Sequence, residues 1–152
     1  MYKRILVGVD GSDASLRGLD EAVRLAKTTG GQLLLVHVVN HMLRADFAAA
    51  AYYDKVIEAL REGGNKVLDQ AASRARKADV PCETKLVDAF GDPAADLIVG
   101  EAKAWPADLI VLGTHGRRGL KRLALGSDAE LVLRMAPVPV LLVRTQSDAA
   151  SA

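Results

Sequence analysis

Three glycines and a serine make up the stretch of this chain best suited to chemistry. Gly113, Gly116, Gly126 and Ser127 fit the pattern G-x2-G-x9-G-[S/T] within GTHGRRGLKRLALGS. Glycine lets backbone N–H groups approach a ligand closely and accepts positive φ. Ser127 opens a helix-like run, whose unpaired N–H groups and dipole favour an anion. Its hydroxyl can donate to a phosphate oxygen. His115, Arg117, Arg118, Lys121 and Arg122 lie between the glycines with no acid among them. That charge suits a polyphosphate, and it equally suits a solvated face. His115 is either a phosphate contact or a solvent-facing loop residue.

A second feature lies near the N-terminus, in GVDGSDAS. Asp10 ends the first apolar run. A carboxylate there repels phosphate but can accept from an adenine amino group or a ribose hydroxyl, or meet Mg²⁺. It can also simply cap the helix that follows. Two other nucleotide signatures are missing: G-x-x-x-x-G-K-[ST], and G-x-G-x-x-G after the first strand. His37, His41 and His115 show no zinc spacing. Ser12 and Ser127 belong to no serine–histidine–acid order. His37 reads as a satisfied core histidine. The single cysteine, Cys82, excludes an internal disulfide and reads as a packing residue.

The elements that must position these residues alternate along the chain. Apolar runs at 5–9 and 33–39 read as strands buried on both faces, and those at 109–113 and 138–143 as two further strands. The run at 82–87 alternates Cys82, Thr84 and Leu86 with Glu83 and Lys85, as an edge strand would. Helical spacing covers 12–29, stopped by Gly30 and Gly31. A second helix covers 52–78, with Val56, Leu60, Val67, Ala71 and Ala75 on one face. Gly63 and Gly64 weaken its middle by about 1 kcal/mol each. The segment between the second strand and this helix reads as a loop that becomes helical. Asp92-Pro93 predicts an N-cap followed by proline at the first helical position, opening a helix to about 103. Ser127 and Glu130 predict a capping box for the last helix. This order implies an α/β fold, an open five-stranded parallel sheet with helices on both faces. Ligands in such sheets bind beyond the carboxyl ends of the strands, where the strand order reverses.

The 152 residues are 50% hydrophobic and 26% charged, with a net charge of +1. That suits one globular domain, expected at 1–146 with a polar tail at 147–152, and points to neither nucleic acid nor membrane as a partner. The opening apolar run is too short for a signal peptide, and no run approaches a membrane span of about 18 residues. The expected location is cytoplasmic.

Taken together, VGVDGSDAS, LLLVHVV, DLIVLGTHG and LGSDAELVLRMAPVPVLLVR resemble the universal stress protein family, specifically its ATP-binding branch. The resemblance covers about the whole chain. It implies a Rossmann-like sheet of order 3-2-1-4-5, ATP (or ADP or AMP) held between the ends of strands 1 and 4, and a homodimer. By the same resemblance Asp10 meets the adenosine end and the backbone of Val38 contacts adenine. Leu112 and Gly113 line the ribose side, and Gly116, Gly126 and Ser127 cradle phosphates. Asp128 departs from the small apolar residue that often follows Gly-Ser in such proteins. Its carboxylate opposes an anion unless it ligates Mg²⁺ or turns outward. In the implied strand order the run 138–143 forms an open sheet edge, so pairing across a two-fold axis through Val138, Val140, Leu141, Leu142 and Val143 is expected.

The leading expectation is an ATP-binding regulatory or stress-response dimer with no dedicated catalytic residue and at most slow ATP hydrolysis. Two alternatives stand beside it. One is an adenine-nucleotide-dependent enzyme, although its S-G-G-x-D and H-x-G-H signatures are missing. The other is an interaction module that binds no ligand.

Overall fold

The computed structural model describes residues 1–41, 50–115 and 125–145. In chain order the elements are β1 (Arg4–Gly8), α1 (Asp13–Thr29), β2 (Gln32–Asn40), α2 (Ala50–Lys77), β3 (Cys82–Ala89), α3 (Ala94–Ala104), β4 (Leu109–Gly113), α4 (Ser127–Met135) and β5 (Val140–Val143). The strands form one parallel sheet of order β3-β2-β1-β4-β5, as the resemblance implies.

The central strands are apolar at successive positions because helices cover both faces. Ile5, Val7, Leu33, Leu35, Leu109 and Val111 pack against Leu19, Ala22 and Ala26 of α1 and Leu68, Ala71 and Ala75 of α2. Leu6, Leu34, Val36, Ile110 and Leu112 point the other way, onto Ala95, Ile98 and Ala102 of α3 and Val132 of α4. Small residues at the helix contacts bring the layers close.

The helix boundaries obey local chemistry, with two corrections. Ser12 caps α1, its Oγ accepting from Ser15 N–H at 3.2 Å, and Gly30 stops it in the left-handed conformation at φ 67°. At α3, however, Pro93 is itself the N-cap, at φ −58° and ψ 138°, and no side chain caps the helix. Proline fixes φ but not ψ, so it serves outside the helix as readily as inside. At α4 the expected capping box does not form. Gly126 is the N-cap and Ser127 the first helical residue, which puts the serine hydroxyl one position too far along to cap. Glu130 accepts instead from Arg134 Nη2 at 2.9 Å.

In α2 the covered face is Ile57, Gly64, Leu68, Ala71, Ala72 and Ala75, while Val56 and Leu60 are each 38% exposed. A helix turns about 100° per residue, which sets Leu60 and Val56 roughly 70° and 110° off the line through Leu68 and Ala75. The helix runs unbroken through both glycines. Gly64 has a packing reason: an added Cβ would lie 2.6 Å from the His37 ring and 2.7 Å from Leu86. β3 is the expected edge, with Glu83, Thr84 and Lys85 exposed, although Thr84 was expected on the covered side. β5 begins at Val140 rather than at 138. Pro139 precedes it, its carbonyl accepting from Ile110 N–H at 3.0 Å.

Candidate functional site

The strand order reverses between β1 and β4, and the sequence-predicted residues gather at the carboxyl ends of these strands. After β1 the chain turns sharply into α1. Asp10 Oδ1 accepts from Ser12 N–H at 2.8 Å, and Asp10 N–H donates to Ser15 Oγ at 3.2 Å. Gly11 makes the turn possible at φ 83°, a conformation that costs glycine little. Asp10 is thus part of a side-chain-closed turn. Sequence reading passed over Gly11, although an Asp-Gly-Ser run is a turn signal.

β4 approaches the same turn from the other side. An added Cβ on Gly113 would lie 2.6 Å from the Ala14 carbonyl carbon and 2.8 Å from Ser15 N. Glycine at 113 therefore lets the start of α1 lie directly against the end of β4. The Leu112 side chain is buried, and an added Cβ on Gly8 would meet its Cδ2 at 2.5 Å. Only its main chain can face a ligand. Thr114 N–H donates to Val143 O at 3.0 Å, and Gly126 N–H donates to Thr114 O at 2.7 Å. The long connection therefore leaves and returns at one hydrogen bond, which sets the start of α4 beside the end of β4. Gly116, Arg117, Arg118, Lys121 and Arg122 lie outside the described residues.

Gly126 has φ −56° and ψ 145°, so its value lies in the missing side chain rather than in positive φ. The first turn of α4 carries no side-chain cap, whereas α1 has one. Ser127 and Asp128 are exposed there. Beside this helix start the Thr114 hydroxyl is buried without a hydrogen-bond partner among the described residues. A buried hydroxyl and an uncapped helix start together suit an anion. His115 is half-buried, and its carbonyl accepts from Ser12 Oγ at 3.5 Å.

β2 supplies the third wall. It runs past β1, whose last bond to it is Val9 N–H to Val36 O at 2.9 Å. Backbone groups of a strand alternate between its two neighbours. Leu33 and His41 N–H donate on the β3 side, and Gln32 N–H donates to Lys3 O on the β1 side. The N–H and C=O of Val38 therefore face the side on which β1 has ended. Val9 O is taken by His37 Nδ1 at 2.8 Å. A carbonyl only accepts, so Nδ1 carries the proton. His37 is the satisfied core histidine that was expected.

Next to this wall lies a cluster that sequence reading missed. His41 Nε2 meets Asp88 Oδ1 at 2.7 Å, Arg61 Nε meets the same oxygen at 3.1 Å, and His41 Nδ1 meets the Tyr53 hydroxyl at 3.3 Å. First the His41 hydrogen bond and then Arg61 hold the Asp88 carboxyl below the usual carboxylate range. Only the fold brings these residues together.

Residues 1–144 match the family model described as the universal stress protein family. A universal stress protein of Methanocaldococcus jannaschii is 35% identical over 95% of this chain and 83% of its own length. Universal stress protein YxiE of Bacillus subtilis is 34% identical over 95% and 100%. Among solved structures, universal stress protein UspA from Lactobacillus plantarum superposes with a TM-score of 0.84 at 28% identity, covering 94% of this chain and 98% of that one. A universal stress protein in complex with cAMP gives 0.66 at 29% identity, over 94% and 97%. The Archaeoglobus fulgidus universal stress protein in complex with dAMP gives 0.67 at 29% identity, over 93% and 98%. The chain belongs to the universal stress protein family.

Proposed function

We propose that this protein binds an adenine nucleotide, ATP or its ADP or AMP counterpart, at the carboxyl ends of β1 and β4 and responds to it as a regulatory dimer. The observation that carries the reading is the uncapped start of α4, held beside the buried Thr114 hydroxyl by the Gly126–Thr114 hydrogen bond. Phosphates would lie there, against Gly126 and Ser127, with Gly116 and the basic residues of the connection above them. The ribose would lie along Leu112 and Gly113 towards Asp10. Val38 would present an N–H donor and a C=O acceptor to the base, which matches N1 and the amino group of adenine and mismatches guanine. The two family structures in complex with cAMP and dAMP support this ligand class.

Among the described residues no group of three or more His, Cys, Asp or Glu could hold a metal ion. Mg²⁺ would therefore arrive on the phosphates, and the exposed Asp128 is a carboxylate it could meet. No helix among the described residues is long and apolar enough to cross a membrane. We place the protein in the cytoplasm, whose reducing conditions suit the lone Cys82. Any ATP hydrolysis would be slow.

The reading is tested by titrating ATP, AMP and adenosine in a calorimeter. Gly126→Val should weaken ATP at least about tenfold, or 1.4 kcal/mol, without unfolding the protein. Added salt should erode the advantage of ATP over adenosine. Unchanged ATP affinity in the variant would remove Gly126 from the site. The absence of any binding by the native protein would favour the ligand-free interaction module.

A further inference from the structure

The part of β2 that would read the base has a neighbour on one side only. From His37 to Asn40 its partners are Leu86 to Ala89 of β3, and β1 has already ended. A strand end supported on one side is free to splay, yet a donor–acceptor pair must be held to a few tenths of an ångström to select a base. His41 is the next residue. Its N–H donates to Ala89 O at 2.9 Å, and its side chain, 3% exposed, joins β3 to α2 beside the direct Arg61–Asp88 bond, anchoring the end of β2 to both. Asp88 comes from β3, Phe90 follows β3 directly, and Tyr53 and Arg61 come from α2.

The hydrogen-bond directions follow from chemistry. A carboxylate accepts, so His41 Nε2–H donates to Asp88. Nδ1, on the other side of the ring, meets the Tyr53 hydroxyl at 3.3 Å. The Phe90 ring covers the imidazole at 4.4 Å between centroids. The Arg61 guanidinium orients Asp88 through the same oxygen that receives Nε2–H. The imidazole is thus fixed in position and in plane.

We infer that His41 is a positioning residue for base recognition: clamped by Asp88 and Tyr53, it fixes the free edge of β2 at Val38 and thereby sets the affinity for the adenine ring separately from that for the phosphates. This rests on the nucleotide reading above. It predicts a split between base and phosphate that general destabilisation would not produce.

The experiment measures adenosine and inorganic tripolyphosphate binding by calorimetry in the native protein, His41→Ala, His41→Gln and Tyr53→Phe. His41→Ala should weaken adenosine about tenfold and leave tripolyphosphate within about twofold. His41→Gln keeps an amide donor for Asp88 and should recover most of the loss. Tyr53→Phe removes only one hydroxyl and should fall between. Native adenosine affinity in His41→Ala and Tyr53→Phe, or a parallel loss of both ligands, would overturn the inference. Amide hydrogen exchange of the ligand-free proteins is the companion measurement. Positions 39 and 41 should exchange faster in His41→Ala and Tyr53→Phe, while positions 33 to 36 stay as in the native protein. If the native protein binds no adenosine, the nucleotide reading fails, and the exchange rates alone decide the clamp: unchanged rates at 39 and 41 overturn it.

Discussion

Gly113 does two jobs at the residue scale, and the sequence displays only one. Its place in the glycine pattern suggests close approach of backbone to ligand. Its nearest neighbours, however, are main-chain atoms of Ala14 and Ser15 and the Ala14 Cβ, none of which can swing aside as a side-chain tip can. Gly113→Ala should therefore destabilise the fold by about 1–3 kcal/mol, read as a lower urea midpoint. An unchanged midpoint would show that α1 can shift at no cost. Asp88 gives a second residue-scale test. A carboxyl whose folded pKa lies below its unfolded value of about 3.9 stabilises the fold fully above that value and loses its contribution as pH falls through the folded pKa. The His41 and Arg61 contacts lower the folded pKa of Asp88. The native protein should melt above Asp88→Asn at neutral pH and lose that advantage below about pH 4. An advantage intact at about pH 3 would contradict the assignment. Much of the candidate site was legible because Asp10 and Gly113 close two apolar runs and the glycine pattern continues from the second. The His41 cluster was not, because Tyr53, Arg61, Asp88 and Phe90 meet His41 only through the β2–β3 pairing and the return of α2.

At the scale of elements, α2 shows how neighbouring glycines can differ. Gly63 has nothing within 4 Å of an added Cβ, whereas Gly64 abuts the His37 ring and Leu86. Gly63→Ala should stabilise the protein by about 0.5–1 kcal/mol through helix propensity alone. Gly64→Ala should destabilise it, because His37 is held by its bond to Val9 O and cannot retreat freely. Thermal melts of the two variants should move in opposite directions, and a shared direction would mean that propensity outweighs contact at both positions. Apolar runs and glycine stops gave the elements and their order. The errors fell at helix starts, where Pro93 and Ser127 each stand one place from the predicted role. Proline and serine are compatible with adjacent positions, and only ψ separates them. The α2 face was misread for a related reason: an error of one residue in phase rotates a helix by about 100°.

At the scale of the whole molecule, β5 is one of the sheet's two edges, opposite the charged edge of β3. Leu141 is 38% exposed on this strand, and Leu133 and Met135 of the adjacent α4 are 50% and 38% exposed. Such a flank favours a two-fold partner. We expect light scattering to find a dimer at tens of micromolar and Leu141→Lys to shift it to monomer with its fold intact. A folded native monomer at that concentration would remove this assembly. The hydrogen bond from Gly126 to Thr114 bears on heredity as well as on binding. It closes the 114–126 connection upon itself, so sheet register and helix placement do not depend on how many residues lie between. Lengthening a closed connection costs only about 0.6 kcal/mol per doubling. Insertions there are thus cheap in stability, and the segment can be exchanged like a cassette: one frame can acquire a new ligand preference, or lose ligands altogether, without having to learn again how to fold.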